Sequence, residues 1–312
     1  MGDFQTPKAW QAPARRYAIE DGGPSVTSMA DHHGAAHDDE SQAHLAELLD
    51  LDAEVLCAYW TDALSWVRRA ATGTARVRIL DLGAGSGTGT IPLAQRFGDA
   101  EVIAVDTSEE MLRRIRVKAL DLGLAGRVRT VRADLDVVWP AFEPIDLTWA
   151  SMSLHHLTDP DEVLGQLFTT MRSGGLVAVA EFSEHLRFLP HDLGFGRPGL
   201  EERCLAALSE EHAHSLPELG SDWSGRLQAA GFTLVAERVF AIELDPRHAG
   251  DSAARYAQRW LGRLRSGAAD QLADEDLETL GALLDGDGPQ SLTQRRDLQI
   301  RGCRTVTLAR RP

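Results

Sequence analysis

The run Asp81-Leu-Gly83-Ala-Gly85-Ser-Gly87-Thr88 constrains this chain more than any other feature. It follows directly on an apolar stretch, VRILDLG at 77–83, and precedes a helical pattern near 90–98. A continuous apolar run leading into glycines fits a parallel strand that is buried on both faces. Glycine is needed where the backbone turns tightly and lets a ligand approach it. A second apolar strand, EVIAVD at 101–106, ends on Asp106. An acid at that strand tip can accept hydrogen bonds from both hydroxyls of a ribose. The pair predicts a nucleoside held between two adjacent strand ends.

Three more apolar strands follow, VRTVRADL (128–135), IDLTWASM (145–152) and GLVAVAEF (175–182), with helical patterns near 108–123 and 159–172. Strands alternating with helices specify an α/β fold, a doubly wound parallel sheet covered on both faces. FTLVAERVFAIEL (232–244) and RTVTLARR (304–311) supply two further strands. The connection between them at about 245–300 reads as helical, from Tyr256, Trp260, Leu261 and Leu264 and then Leu277, Leu280, Leu283 and Leu284. Upstream, apolar residues recur at helical spacing from Ser41, through Leu45, Leu48, Leu49, Val55, Leu56, Tyr59, Trp60, Leu64 and Val67, to an end near Thr72-Gly73. Residues 1–40 hold few apolar side chains and are expected to form a flexible arm or lid. His32, His33 and His37 read as a solvated tail, because no second ligand cluster lies nearby. The expected organisation is an arm at 1–40, N-terminal helices at 41–74, a nucleoside-binding core at 75–184, an irregular cap segment at 185–216, and a C-terminal part of the core at 217–312 carrying the helical insertion.

Composition narrows the partners. A net charge of −15 argues against nucleic acid or an anionic membrane surface, both of which reward basic patches. Basic residues are almost all Arg, with Lys only at Lys8 and Lys118, a bias that fits a GC-rich bacterial genome. Cys57, Cys204 and Cys303 lie far apart and form neither a CxxC nor a Cys/His metal spacing, which fits a reducing compartment. The start MGDFQTPKAW lacks a basic and an apolar region of the signal-peptide kind. No apolar run approaches the about 18 residues that span a bilayer. A soluble cytoplasmic chain, a monomer or homodimer acting on a small molecule, is expected.

The rival for the glycine loop is a dinucleotide fingerprint, G-x-G-x-x-G. Gly83 and Gly85 fail it because Thr stands at 88, and Gly87 and Gly89 fail it because Pro stands at 92. A pyrophosphate needs bare amides at a helix start. S-adenosylmethionine has no phosphate, and its carboxylate and ammonium need one donor and one acceptor cluster. Asp81 can supply acceptor character near the ammonium. ILDLGAGSGTGT, VIAVDTSEEML, VRADL, IDLTWASMSLHHLTDP and MRSGGLVAVAEF, in that order, resemble the motifs of the class I S-adenosylmethionine-dependent methyltransferase family, in its small-molecule, ubiquinone-biosynthesis-like type. The resemblance covers roughly residues 75–184, and the two final strands agree. It implies a seven-stranded Rossmann-like sheet of order 3-2-1-4-5-7-6, its last strand antiparallel, with helical cap insertions. It also implies S-adenosylmethionine as cofactor, S-adenosylhomocysteine as product, and a glycine loop Gly83, Gly85, Gly87 and Thr88 around the amino-acid end. Asp106, with Thr107 beside it, would take the ribose, and Met111 would pack on adenine. Asp134 would accept from the adenine amino group, the Leu135 amide would touch the ring, and Ala150 and Ser151 would face the methionine end.

Methyl transfer is an in-line displacement from a sulfonium that leaves as a neutral thioether, so no acid is required. Alignment alone supplies several kcal/mol. A general base adds roughly 10²–10⁴-fold where the nucleophile carries a proton. Candidate bases follow the strands that face the ligand: His155 and His156 after the fourth, Glu181 and His185 after the fifth. His155 aligns with the base of some phenol O-methyltransferases. Against that, His-His-Leu also turns the chain into the next helix, with Thr158 a candidate N-cap. The family topology places the connection at 245–300, with 184–216 and the arm, over the site as a lid. Arg295, Arg296, Asp297, Arg301 and Arg304 read either as a clamp for a carboxylate or phosphate, with Arg295 and Arg301 as substrate contacts, or as solvated salt bridges. Trp149 reads as core or as pocket lining, and His156 and His185 as substrate contacts. No carboxylate cluster of the Mg²⁺ kind is present, so no metal is expected. The reading is methyl transfer to an oxygen or nitrogen of a small metabolite, with carbon open, in bacterial secondary metabolism. An NAD(P)-dependent oxidoreductase and a non-catalytic S-adenosylmethionine-binding protein are the alternatives.

Overall fold

The computed structural model describes residues 31–71, 77–244 and 250–312. Most of the expected N-terminal arm, residues 1–30, therefore lies outside the described residues, as do the side chains of His32, His33 and His37. Glu40–Pro312 form one compact unit.

Helices α1 (Asp31–Val55) and α2 (Cys57–Ala70) precede the sheet. The first begins ten residues before the apolar spacing starts at Ser41, because that spacing marks only where the helix finds a core. Tyr59, Trp60, Ala63, Leu64 and Val67 form the buried stripe of α2. Each large side chain in it contributes about 1.5–3 kcal/mol by leaving water.

The sheet is built from β1 (Arg78–Leu82), β2 (Glu101–Asp106), β3 (Val128–Arg132), β4 (Ile145–Ser151), β5 (Met171–Arg187), β6 (Thr233–Leu244) and β7 (Ile300–Arg310). Its order is β3-β2-β1-β4-β5-β7-β6, as predicted. β1 lies parallel between β2 and β4, and β7 runs antiparallel between β5 and β6. The order reverses between β1 and β4, so the crevice beyond their carboxyl ends is the place for a ligand. One face packs Trp149, Ala178, Val306 and Leu308 against α1, α2 and α8 (Gly250–Gly267). The other packs Leu80, Val105, Val177 and Val179 against α5 (Pro160–Thr170) and α7 (Trp223–Ala229). Helices α3 (Thr90–Arg96) and α4 (Glu109–Asp121) complete the nucleotide-binding half. Helices α6 (Leu200–Ser215) and α9 (Asp274–Leu284) belong to the two long additions.

Three details differ from expectation for physical reasons. β3 stops at Arg132, because Asp134 turns the chain by accepting Val137 and Val138 amides through its carbonyl. β5 runs on to Arg187, following β7 as an antiparallel pair whose register shifts after Phe182 and again after Glu184. The N-cap of α5 is Asp159, whose carboxylate accepts the Glu162 amide at 3.0 Å. Thr158 donates instead to Asp136, through its amide at 2.9 Å and its hydroxyl at 3.2 Å.

A buried carboxylate ties the ends of the chain together. Asp52 of α1 pairs with Arg304 of β7, and accepts Tyr256 Oη at 2.6 Å and Trp60 Nε1 at 3.0 Å. Arg304 also lies over the Tyr59 ring, 4.8 Å from its centroid. Burial alone would raise the pKa of Asp52, but Arg304 and the two donors outweigh it and hold it below the usual carboxylate value.

Candidate active site

Beyond β1 the backbone turns on Gly83 at φ +65°, and a Cβ there would lie 2.4 Å from Ser153 Cβ. Only glycine meets both conditions, left-handed backbone and direct contact with the segment after β4. Ser153 completes the contact by donating to the Leu82 carbonyl at 2.8 Å. The glycine loop is thus fastened to the chain that carries the histidines.

Asp106 closes the loop from β2. One of its oxygens accepts the Gly85 amide at 2.8 Å, and the other the Ser108 amide at 2.9 Å. Each oxygen keeps lone-pair capacity for a hydroxyl. Ser108 then caps α4 by accepting the Met111 amide at 3.4 Å, with Glu109 and Glu110 favourably placed in the first turn. That cap puts Met111, 2% exposed, on the first turn of the helix beside Asp106. Thr107 is exposed and its carbonyl accepts Arg132 Nε at 3.1 Å. Asp134 is exposed, with one oxygen on the Asp136 amide at 3.1 Å, and Leu135 packs beneath the sheet. Thr88 is half-buried within the loop.

Helix α1 lies over this loop. Ser86 donates to Asp50 at 2.6 Å, and Lys118 of α4 bonds both Asp50 at 2.5 Å and the Ser86 carbonyl at 2.8 Å. Leu49 sits 2.8 Å from the position a Gly85 Cβ would take. The Asp50–Lys118 pair had no signal in the sequence, since a helix face is fixed only by packing.

Asp81 is 2% exposed and accepts Thr90 Oγ1 at 2.5 Å. Burial, with a smaller push from Asp106, raises its pKa to about 7 against the Thr90 hydrogen bond. An ammonium arriving beside it favours the ionised form. S-adenosylhomocysteine affinity is therefore expected to rise by up to about tenfold between pH 6 and pH 8, as free Asp81 loses its proton. Isothermal titration across that range checks this, and Asp81→Asn should flatten the profile.

Trp149 is fully buried, packed at 6.1 Å between ring centroids on Trp60, with its indole nitrogen against Gly89. It walls the glycine loop at Gly89 from within the core. At the end of β4 Ala150 is buried, and Ser151 carries a buried hydroxyl with no partner. Met152 follows at φ +53°, the non-glycine residue that takes a left-handed conformation among the described residues. Such strain collects where a chain must be aimed at a site.

The turn Leu154–His156 comes next. His155 Nδ1 lies 2.6 Å from Glu181 Oε2, and the Leu154 amide donates to Glu181 Oε1 at 3.2 Å. Both side chains are buried. A carboxylate acceptor fixes the proton on Nδ1 and leaves Nε2 to accept one. His156 stacks on His155, its ring centroid 4.2 Å away. Surrounding protein, together with His155, Arg263 and His212, holds its pKa down to about 4 although the residue keeps an exposed edge. His185, farther along β5, lies within 6.2 Å of His212 and 6.4 Å of Trp260, centroid to centroid.

The arginines do not form one clamp. Arg295 is held by Asp297 at 2.6 Å and by the Leu193 carbonyl. Arg301 bonds Gln299 and the Leu189 carbonyl, on the wall of a cavity of about 810 Å³ between β5, β6, β7 and α6. Arg304 is in the Asp52 pair. His212 and Arg263, from the two additions, reach the histidines instead.

The donor set fits S-adenosylmethionine. Asp106 offers two acceptors for a ribose diol, Asp81 an acidic group for an ammonium, and Ser151 an unpartnered hydroxyl at the end expected to hold the amino acid.

Residues 79–175 match the family described as Methyltransferase domain. Over 139 residues the chain is 30% identical to the ubiquinone/menaquinone biosynthesis C-methyltransferase of Idiomarina loihiensis, covering 44% of this chain and 53% of that protein. It is 35% identical over 111 residues to the malonyl-[acyl-carrier protein] O-methyltransferase of Laribacter hongkongensis, covering 34% and 37%. The chain thus spans about half or less of the curated relatives it matches. Among solved structures, the BH2331 protein of Bacillus halodurans C-125 superposes with a TM-score of 0.51 at 19% identity, over 80% of this chain and 99% of that one, which shows the shared fold.

Proposed function

We propose that this chain, which carries a class I methyltransferase domain, is itself an S-adenosylmethionine-dependent methyltransferase acting on an oxygen or nitrogen of a small metabolite. The bound cofactor supplies a methyl carbon on a sulfonium, open to in-line displacement. The observation that carries the reading is the clamp of Asp106 on the Gly85 and Ser108 amides, which ties two strand tips together and leaves its oxygens free to take a ribose diol. Asp81 and Ser151 hold the amino-acid end, and Leu49 and α1 exclude water above the loop.

His155 serves as the base. Glu181 holds its Nδ1–H, so Nε2 takes the proton as the acceptor's O–H or N–H becomes the nucleophile and the new carbon–oxygen or carbon–nitrogen bond forms. A preset proton acceptor is useful for a hydroxyl or amine, which supports oxygen or nitrogen over a carbon that is already nucleophilic. The relatives this chain matches include a ubiquinone/menaquinone biosynthesis C-methyltransferase and a malonyl-[acyl-carrier protein] O-methyltransferase, and the acceptor proposed for this chain is a small metabolite of bacterial secondary metabolism.

The test is calorimetric binding of S-adenosylhomocysteine to the whole chain. Micromolar or tighter binding is expected, with Asp106→Ala weaker by about 1–3 kcal/mol, since a half-buried carboxylate that accepts hydrogen bonds is lost. Tighter binding of NADH than of S-adenosylhomocysteine would overturn the assignment.

A further inference from the structure

The methyltransferase reading accounts for His155 and Glu181, but not for the polar groups collected next to them from farther along β5 and from α6 and α8. His185 of β5, His212 of α6 and Trp260 of α8 approach one another around the His185 ring, at 6.2 Å to His212 and 6.4 Å to Trp260. The Nδ1 atoms of both histidines and the Nε1 of Trp260 are buried and have no hydrogen-bond partner. Orphaned buried nitrogens are costly, so three of them gathered in one corner call for a ligand. Arg263 lies one helical turn after Trp260 on α8, near enough to His156 and His212 to act on both.

We propose that this group recognises an oxyanion on the methyl acceptor, a carboxylate or a phosphate, with Arg263 as its countercharge and the nitrogens of His185, His212 and Trp260 as its hydrogen-bonding partners. The assignment rests on the methyltransferase reading of the adjoining site and names the substrate class for it.

The charges in this corner favour an anion. Arg263 is exposed and pairs with no carboxylate among the described residues, and the protein around it lowers its pKa. Glu181 is engaged by His155, and Glu211, beside His212, accepts Ser215 Oγ at 3.0 Å. Arg187 is paired with Glu202 at 3.2 Å. Burial and, more weakly, neighbouring cations hold His156, His185 and His212 below the usual histidine value, against Glu211 at His212, so the three offer hydrogen bonds rather than charge. A cation would meet Arg263 unopposed. Among the described residues, no set of three or more His, Cys, Asp or Glu side chains is arranged to hold a metal ion.

The experiment titrates the whole chain, saturated with S-adenosylhomocysteine, with inorganic phosphate and separately with acetate, followed by calorimetry or histidine NMR shifts. At least one anion is expected to bind in the millimolar range, with Arg263→Gln weakening it about tenfold or more and Arg263→Lys restoring part of the loss. S-adenosylhomocysteine affinity should be the same in all three proteins. Phosphate binding alone identifies a phosphorylated acceptor, acetate alone a carboxylic acid, and both a shared oxyanion site. The proposal is overturned if neither anion binds to protein that does bind S-adenosylhomocysteine, or if Arg263→Gln binds them unchanged. Failure to bind S-adenosylhomocysteine sinks the methyltransferase reading itself, which is a separate result.

Discussion

His155→Ala is expected to lower turnover by about 10²–10⁴-fold with a proton-bearing acceptor, while S-adenosylhomocysteine affinity stays within about twofold of the parent. The size follows from removing a positioned base, and the selectivity from its place on the acceptor side of the glycine loop. The proposed base depends on Glu181, since its 2.6 Å contact to Nδ1 favours the tautomer that leaves Nε2 free. Glu181→Gln should therefore lose turnover too, and its pH–rate profile should shift, a change that loss of mere packing would not produce. Normal turnover in His155→Ala would leave the histidine as a turn residue joining β4 to α5.

Asp52→Ala is expected to destabilise the protein by about 3–5 kcal/mol, because it leaves Arg304 charged and buried with nothing opposite. Urea midpoints read by circular dichroism measure it. The two donors that lose their acceptor, Tyr256 and Trp60, add to the cost. The double variant Asp52→Leu with Arg304→Met should recover much of the loss, since neutral side chains of similar size remove the uncompensated charge. The pH dependence has a definite sign. Folding holds the Asp52 pKa below its ordinary 3.8, so the stabilisation is complete well above that value and is lost as pH falls through the depressed one.

The glycine loop, the sheet order and the acid at the tip of β2 were legible because backbone conformation and strand periodicity impose them locally. Gly83 must be glycine for φ and for contact with Ser153, and such a demand shows in the sequence. The arginines illustrate the opposite case. Arg301 and Arg304 look like neighbours, yet three residues on a strand turn side chains to opposite faces, and they end in different surroundings. Asp52 reads as one more polar position on a helix, because its partner is 252 residues away. His212 and Arg263 carried no pattern either. The helix of Arg263 could be seen, but which face met β5 depended on packing of the two additions against each other. Thr158 and Asp159 both suit a cap, and only Asp136 decides between them.

The pairing of Asp52 with Arg304 also governs the order in which the protein can be made. During synthesis the N-terminal helices emerge first with an acidic group facing inward and no counterion. That group cannot be neutralised until residues 300–310 leave the ribosome and slide between two strands already released. Long-range closure of this kind is slow, and it exposes apolar surface while it waits. The nascent protein therefore stays vulnerable to aggregation and proteolysis until that strand is released, and it gains the stability of this pair in one late step.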